Sequence, residues 1–537
     1  MNLEANKVKK LPLGLQNFRK IIEGDYLYVD KTQYIYNLIN GASYYFLSRP
    51  RRFGKSLLLS TIAEAFGGDR ELFSGLWIYG SDYDFAKHPV IRLDMSNIQN
   101  KTPDVLEGSL SFYLKICYRD EGFEYDGSTA ADAFMNLILQ LNEKYNQRVV
   151  VLIDEYDKPI LDHINALETA DGNRQVLRGF YGILKSMDEY LRLVFITGVT
   201  KFTKTSIFSG LNNLLDITML RDYAGICGIP TEELEKHFGE YIERLAQNKT
   251  FKRYSSIAGE ILAWYDGYSW DGESRLLNPY SLLNFFRHGE FDGYWYETGT
   301  PWFLTEMIKK RPESYLALKN LEIDRSMLDT FDIETIELEP LLFQTGYLTV
   351  KEVIDTDFPV VYVLDIPNRE VKGAFSRQVV AALTGKNEAQ ATKDKKEISK
   401  ALKAGDLQLV LELLRGLFAS IPYQLHIKEE AYYHSIFYAV MMMLSFDMGV
   451  EVSVSRGRID ALLELPDRVY IMEFKYTDCP EGTDSERKQK LFEAALKEGM
   501  EQIEKKGYAD RYRGSGKAVQ KVAFAFLGRD EIQMDVK

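Results

Sequence analysis

Cysteine is scarce: Cys117, Cys227 and Cys479 are the three in 537 residues. Their spacing makes neither a zinc site nor a disulfide framework, so a reducing, cytoplasmic setting is expected. The N-terminus has no apolar stretch after its first charges, so no signal peptide is expected. The longest apolar run, Ile436 to Leu444, falls short of the about 20 residues that a membrane-spanning helix needs. Positive charge is not in excess. A net charge of −13 argues against avid, nonspecific nucleic-acid binding over the whole surface, while leaving room for a local basic groove. What remains is ordinary for a soluble globular protein, with 45% hydrophobic and 27% charged residues. The length exceeds what one core can organise, so several domains are expected.

One further absence is local. Tyr44-Tyr-Phe-Leu-Ser-Arg-Pro-Arg-Arg-Phe-Gly-Lys-Ser-Leu57 reads as strand, tight loop and helix start, the order of a phosphate-binding loop. The pattern G-x-x-x-x-G-K-[ST] lacks its first glycine, because Arg49 stands there. In this reading Arg49, Pro50, Arg51, Arg52, Phe53 and Gly54 wrap the phosphates with their backbone, and the helix opening at Lys55-Ser56-Leu57 adds its N-terminal partial charge. Lys55 would reach the β- and γ-phosphates and Ser56 would ligate Mg²⁺. A second stretch, Arg148-Val-Val-Val-Leu-Ile-Asp-Glu-Tyr-Asp157, is an apolar strand ending in acids. Asp154 would hold Mg²⁺ and Glu155 would polarise the attacking water. The strand Leu193-Val-Phe-Ile-Thr197 ends in a polar residue able to touch the γ-phosphate or the water, which makes Thr197 the candidate sensor. Arg51, Arg52 and Arg221 are all candidates for an arginine finger, and the sequence does not choose among them.

Strand candidates 44–48, 90–95, 149–154 and 192–197 alternate with helical patterns, which predicts a parallel, doubly wound sheet. Thr231-Glu-Glu-Leu-Glu reads as a capping-box-like helix start. The aromatic loops Tyr265 to Trp270, Asn278 to Leu282 and Tyr294 to Gly299 favour core packing over base stacking. Leu341 to Val350 and Val360 to Leu364 read as a hairpin after helices, a winged-helix-like module without a dense basic helix. Lys393-Asp-Lys-Lys-Glu397 reads as a solvated face or linker.

Leu47 to Leu57, Tyr28-Val-Asp-Lys-Thr32, Ile153 to Asp157, Thr197-Gly-Val-Thr-Lys-Phe202 and Ser206 to Asn213 together resemble the bacterial AAA-ATPase-like proteins. The resemblance covers nearly the whole chain, and an arginine at the first loop position is that family's habit. It implies an ATPase core and often a C-terminal PD-(D/E)XK nuclease-like domain.

The last stretch holds the residues on which that expectation rests. Gly457 to Leu465, a Pro466-Asp467 turn and Arg468 to Lys475 read as a hairpin. Counting from the turn sets Leu465 opposite Arg468, Asp460 opposite Glu473 and Arg458 opposite Lys475. Glu473 and Lys475 share a face. Two carboxylates and an ammonium suit metal-assisted phosphodiester cleavage: Asp460 and Glu473 would hold Mg²⁺, and Lys475 would orient water or steady the phosphate. The arrangement resembles the D…E-x-K pattern of PD-(D/E)XK nucleases, with Ile459 where a proline is usual. By that resemblance Glu430 completes the metal site and Gln502 lies near it. His434 reads as structural. Lys505, Lys506, Arg511, Arg513 and Lys517 make a basic cluster that could track a phosphate backbone.

The expected fold is therefore α/β, with a P-loop NTPase parallel sheet, a helical lid, a winged-helix-like module and a restriction-endonuclease-like C-terminal domain. The expected boundaries are an ATPase core over 1–215, a lid over 216–310, the winged-helix-like module over 311–378, a helical linker over 379–420 and the nuclease-like domain over 421–537. The expected function is ATP binding and hydrolysis coupled to Mg²⁺-dependent cleavage of nucleic acid, DNA before RNA, with Mn²⁺ as a substitute ion. The alternative is an ATP-driven switch whose C-terminal fold binds nucleic acid or a protein without cutting. No membrane partner is expected, and a homo-oligomer is compatible with the sequence.

Overall fold

Apolar runs without polar alternation set the first sheet. In the computed structural model β1 (Tyr44–Ser48), β2 (Val90–Asp94), β3 (Val149–Asp154) and β4 (Leu191–Gly198) lie where the sequence reads as strand, and β5 (Leu215–Asp216) adds a short fifth. Every residue of β1 and β3 is buried, as strands covered on both faces must be. All pairings are parallel, in the order β2-β3-β4-β1-β5. β4 thus lies between β1 and β3, although it follows both in sequence. The register sets Thr197 beside Leu47 on one side and Ile196 beside Ile153 on the other. The carboxyl ends of β1, β4 and β3 therefore lie side by side, where open α/β sheets bind ligands.

The structure describes residues 8–202, 207, 208, 211, 213–295, 321–328, 337–354, 360–421, 433, 436, 437, 439–441, 444, 452, 453, 461–480, 482–505, 507–512, 514–528 and 531–537. The described parts of 1–299 and 320–368 make one unit, and those of 369–537 a second.

In the first unit α1 (Lys55–Ala65) starts directly from the loop after β1. α2 (Pro103–Glu121) and α3 (Ala130–Tyr145) begin at Thr102 and Thr129, whose hydroxyls accept from the Val105 and Asp132 N–H groups. α4 (Leu167–Ser186) precedes β4. Beyond the sheet α5 (Glu233–Ala246), α6 (Ile257–Tyr265) and α7 (Pro279–His288) share an aromatic core, with Phe238 and Phe286 stacked at 5.1 Å and Phe285 and Phe291 at 4.4 Å. Tyr265, Tyr268, Trp270 and Trp295 are all buried, so these aromatics are packing residues rather than exposed stacking platforms. The expected capping box does not form. α5 begins at Glu233 with no side-chain cap, because the Thr231 hydroxyl donates instead to Asp266 Oδ2 at 2.8 Å.

The run 341–350, read as strand, is divided. α8 (Leu338–Thr345) takes its first half and ends at Gly346, whose φ is +89°. A Cβ there would meet Pro50 Cγ at 2.7 Å, so the left-handed stop and the close approach both need glycine. β6 (Leu321–Asp324), β7 (Thr349–Ile354) and β8 (Val361–Asp365) form an antiparallel sheet in the order β6-β8-β7.

In the second unit α9 (Arg369–Thr384), α10 (Glu388–Ala404) and α11 (Leu407–Ala419) cover the stretch read as a linker. It is a packed element. Ala391, Lys395, Ile398 and Leu402 are buried at helical spacing, with the remaining charges of 393–397 on the outer side. The Tyr470 hydroxyl donates to Leu402 O at 2.8 Å, and Arg415 Nη2 to Ile532 O at 2.6 Å, tying these helices to the third sheet. That sheet runs β9 (Val452–Ser453), β10 (Ala461–Glu464), β11 (Arg468–Thr477), β12 (Ala518–Leu527) and β13 (Glu531–Val536), in that order. β11 and β12 are parallel, with α12 (Ser485–Lys505) as their crossover; the other pairs are antiparallel. Among the described residues no helix is long and apolar enough to cross a membrane. The three cysteines are free.

Candidate functional site

The loop between β1 and α1 is shaped by two residues in the left-handed region, Arg52 (φ +65°) and Gly54 (φ +98°). It borders a cavity of ≈ 420 Å³ lined by Arg51, Arg52, Gly54, Lys55, Ser56 and Leu57, with Glu155 and Lys158 from beyond β3 and Tyr280 from α7. The N-terminus of α1 opens on it, and such a terminus favours anions. Lys55 is 5% exposed, and its Nζ donates to the carbonyls of Arg49 (2.8 Å) and Pro50 (3.0 Å). Burial lowers its pKa, against the opposing field of Asp154, Glu155 and Asp157. The ammonium is thus held on its own loop beside the cavity.

Arg49 does something else. Its side chain is 0% exposed and runs into the protein, where Nη1 donates to Ser48 O and Thr218 O, each at 2.9 Å, and Nη2 to Ala224 O at 3.4 Å. The guanidinium carbon lies 4.0 Å from the centroid of the Trp270 ring. Burial pushes its pKa down to about 10, and Nε finds no acceptor. Arg49 therefore anchors the loop from behind, and its guanidinium does not reach the cavity. Phe53 is likewise buried, edge-on to Tyr268 at 5.0 Å and Trp270 at 5.2 Å. Pro50 abuts Gly346, and Trp295 donates its indole N–H to Arg51 O at 3.0 Å. The loop conformation is fixed from its outer side by aromatic and backbone contacts.

β3 ends in Asp154, which is buried, and is followed by Glu155, whose backbone takes φ +50°. That conformation is costly for a glutamate, and strain of this kind clusters at functional sites. It turns Glu155 to the cavity. Burial raises the Glu155 pKa above its ordinary value, with Lys55 pulling the other way. Thr197 Oγ1 donates to Asp154 Oδ1 at 2.7 Å. Asp157, to which the motif assigns no role, is 1% exposed and accepts from Val199 N (3.0 Å), Thr200 N (2.6 Å) and Thr200 Oγ1 (2.7 Å). It stitches the turn after β3 to the turn after β4. The hydroxyl of Ser56 and the carboxylate of Asp154 are hard oxygen donors, a set that fits Mg²⁺.

A second, apolar chamber of ≈ 100 Å³ adjoins the first, sharing Pro12, Gly54, Leu57, Pro279 and Leu283 with it. Tyr28, Val29, Lys31, Cys227 and Phe238 also line it. Burial lifts the Cys227 thiol to about 11, so it is inert packing. Tyr28, Val29 and Lys31 thus border this chamber from the segment before β1. Arg221 pairs with Glu273.

The C-terminal candidates are partly described. The pairs Ala461↔Met472 to Glu464↔Val469 have the register that counting from the turn gives, and Leu465 N–H donates to Arg468 O at 2.7 Å. Glu473 is 1% exposed. Lys475 Nζ donates to Gln502 Oε1 at 2.7 Å and pairs with Glu498 at 3.1 Å. Gly499 lies between these two helix residues. A Cβ there would stand 3.2 Å from Ala523 Cβ, 3.6 Å from Lys475 Cγ and 3.9 Å from Glu473 Cβ, so the missing side chain lets α12 press onto β11 and β12. Gln502 and Lys475 are brought together; Glu498, one turn before Gln502, is a partner the sequence reading missed. Glu430, His434 and Asp460 lie outside the described residues, as do the side chains of Lys506, Arg511 and Arg513. Lys517 pairs with Glu464 at 2.5 Å, and Lys505 is exposed. Among the described residues no three His, Cys, Asp or Glu side chains gather as a metal site. Among the described residues the donor set here is one buried carboxylate with a lysine held by an amide and an acid.

The profile of the family described as predicted AAA-ATPase matches residues 12–208, and that of the PD-(D/E)XK nuclease superfamily matches residues 428–535. An uncharacterized protein from the vnfD 5′ region of Azotobacter chroococcum mcd 1 is 36% identical over 526 residues, spanning 96% of each chain.

Proposed function

This chain belongs to the AAA-ATPase-like family and ends in a PD-(D/E)XK superfamily domain, and from that premise we propose that it binds and hydrolyses ATP to govern phosphodiester cleavage of nucleic acid. The observation that carries the first half is the cationic cavity at the N-terminus of α1 with Glu155 facing it. The triphosphate occupies this cavity and the base the apolar chamber beside it. On binding, Lys55 exchanges the carbonyls of Arg49 and Pro50 for phosphate oxygens. Ser56 and Asp154 would hold Mg²⁺, which offsets phosphate charge when bound. Glu155 accepts the proton of the attacking water, and Thr197 keeps the Asp154 carboxylate oriented by its hydrogen bond.

The second half rests on Glu473 and Lys475, two residues apart on β11, with Gln502 holding the ammonium. Asp460, Glu473 and Glu430 would hold Mg²⁺ or Mn²⁺, which supplies an activated water. Lys475 steadies the negative charge that develops on the phosphate. DNA is the expected substrate. A second reading is favoured by the Lys475–Glu498 pair, which occupies the ammonium: a fold that binds nucleic acid or a partner protein and does not cut.

Incubating the full chain with plasmid DNA, ATP and Mg²⁺ or Mn²⁺ separates the two. Cleavage lost in Lys475→Ala, with ATP turnover retained, supports the nuclease. No cleavage of DNA or RNA in any nucleotide state supports the switch.

A further inference from the structure

Lys158 borders the phosphate cavity with Glu155, Arg51, Arg52 and Lys55. Its backbone N–H donates to Glu155 O at 3.0 Å, so the turn that aims Glu155 also aims Lys158. Its ammonium is parked on Asp162, with Nζ at 3.0 Å from Oδ1 and 2.8 Å from Oδ2. Asp162 is itself braced: Oδ2 accepts from Asn100 Nδ2 at 3.0 Å, and Asn100 Oδ1 meets His163 Nε2 at 3.1 Å. Asn173, 0% exposed, fixes this brace by donating to Asn100 O and Pro159 O, each at 2.8 Å. An exposed i,i+4 ion pair needs no such support. A buried amide network behind the acid holds one lysine at the rim of a site for a polyanion.

We propose that Lys158 is a catalytic residue that supplies, from within the same chain, the γ-phosphate cation that many ATPases take from a neighbouring subunit. The proposal rests on the ATPase reading above. A bound triphosphate offers Lys158 a more highly charged partner than the Asp162 carboxylate; a diphosphate leaves it on Asp162. During hydrolysis the water oxygen forms its bond to the γ-phosphorus as the bond from that phosphorus to the β-γ bridging oxygen breaks. Glu155 takes the water proton, and ADP and inorganic phosphate leave. The Lys158 ammonium offsets charge on the γ-phosphoryl oxygens.

The test uses the full chain with Mg²⁺, measuring kcat and KM for ATP and direct binding of ADP. Lys158→Met is expected to lower kcat by about 100-fold or more, the scale of one electrostatic contact to a developing charge. ADP affinity should stay at the unsubstituted level. Lys158→Arg should restore most of the rate. Asp162→Asn should keep most of it, which separates a catalytic ammonium from a merely structural ion pair. Specific activity should be constant on dilution. An unsubstituted kcat in Lys158→Met, an equal loss in Asp162→Asn, or a specific activity that falls on dilution overturns the proposal while leaving the ATPase reading in place. Absence of ATP turnover in the unsubstituted chain overturns both.

Discussion

Thr197 Oγ1 donates to Asp154 Oδ1 at 2.7 Å across adjacent strands, with both side chains buried. The bond exists because β4 is inserted between β1 and β3, so the last polar residue of one strand meets the acid that ends the next. It couples the end of β4 to the carboxylate that, in the proposed function, would hold the ion.

Thr197→Val keeps the shape and removes the donor. It is expected to lower ATP turnover by about tenfold or more, while costing only about 1 kcal/mol of stability, the usual worth of one hydrogen bond. Steady-state kinetics beside a thermal unfolding scan checks both. An unchanged turnover would remove Thr197 from the account.

Arg49 yields a prediction opposite to the motif's. Restoring the glycine of the general pattern, Arg49→Gly, should destabilise the first unit by about 3 kcal/mol or more, since three buried carbonyls lose their donor. It should not tighten nucleotide binding. Arg49→Lys should rescue poorly, because one ammonium cannot reproduce the planar fork on Ser48, Thr218 and Ala224 and its stacking on Trp270. Chemical denaturation followed by intrinsic fluorescence reads the outcome. A stable, tighter-binding glycine variant would contradict it.

With Glu155 as the proposed base, its titration is expected to set the acid limb of activity. Burial raises its pKa, so the proton that must leave before Glu155 can act as base is released at higher pH than from an exposed glutamate. Activity therefore rises with pH through a value above the ordinary 4.5. The kcat/KM profile reports this for the free enzyme. A limb at or below 4.5 would assign the base elsewhere, and Glu155→Gln should abolish turnover with ATP still bound.

Much of this was legible in the residue string. Strands buried on both faces announce themselves by unbroken apolar runs, and the Pro466-Asp467 turn fixes the C-terminal register by counting. The inward course of the Arg49 side chain was not legible for a physical reason: motif spacing reports the backbone path, and says nothing of whether a side chain faces the ligand or the core. Lys158 left only a faint trace, a lysine three positions after the acid that follows β3. Its meaning depends on Asn100 and Asn173, which are remote in sequence. The buried face of α10 was masked because its charges dominate the composition of 393–397, while Ala391, Lys395, Ile398 and Leu402 fall on one side.

The most direct test of the central claim is titration of ATP against the full chain and Lys55→Ala by calorimetry with Mg²⁺ present. Saturable one-to-one binding is expected for the unsubstituted chain, lost in Lys55→Ala at matched folding by circular dichroism. Equal affinity in the two proteins would contradict this, because the cavity at the N-terminus of α1 would then not be where the triphosphate sits.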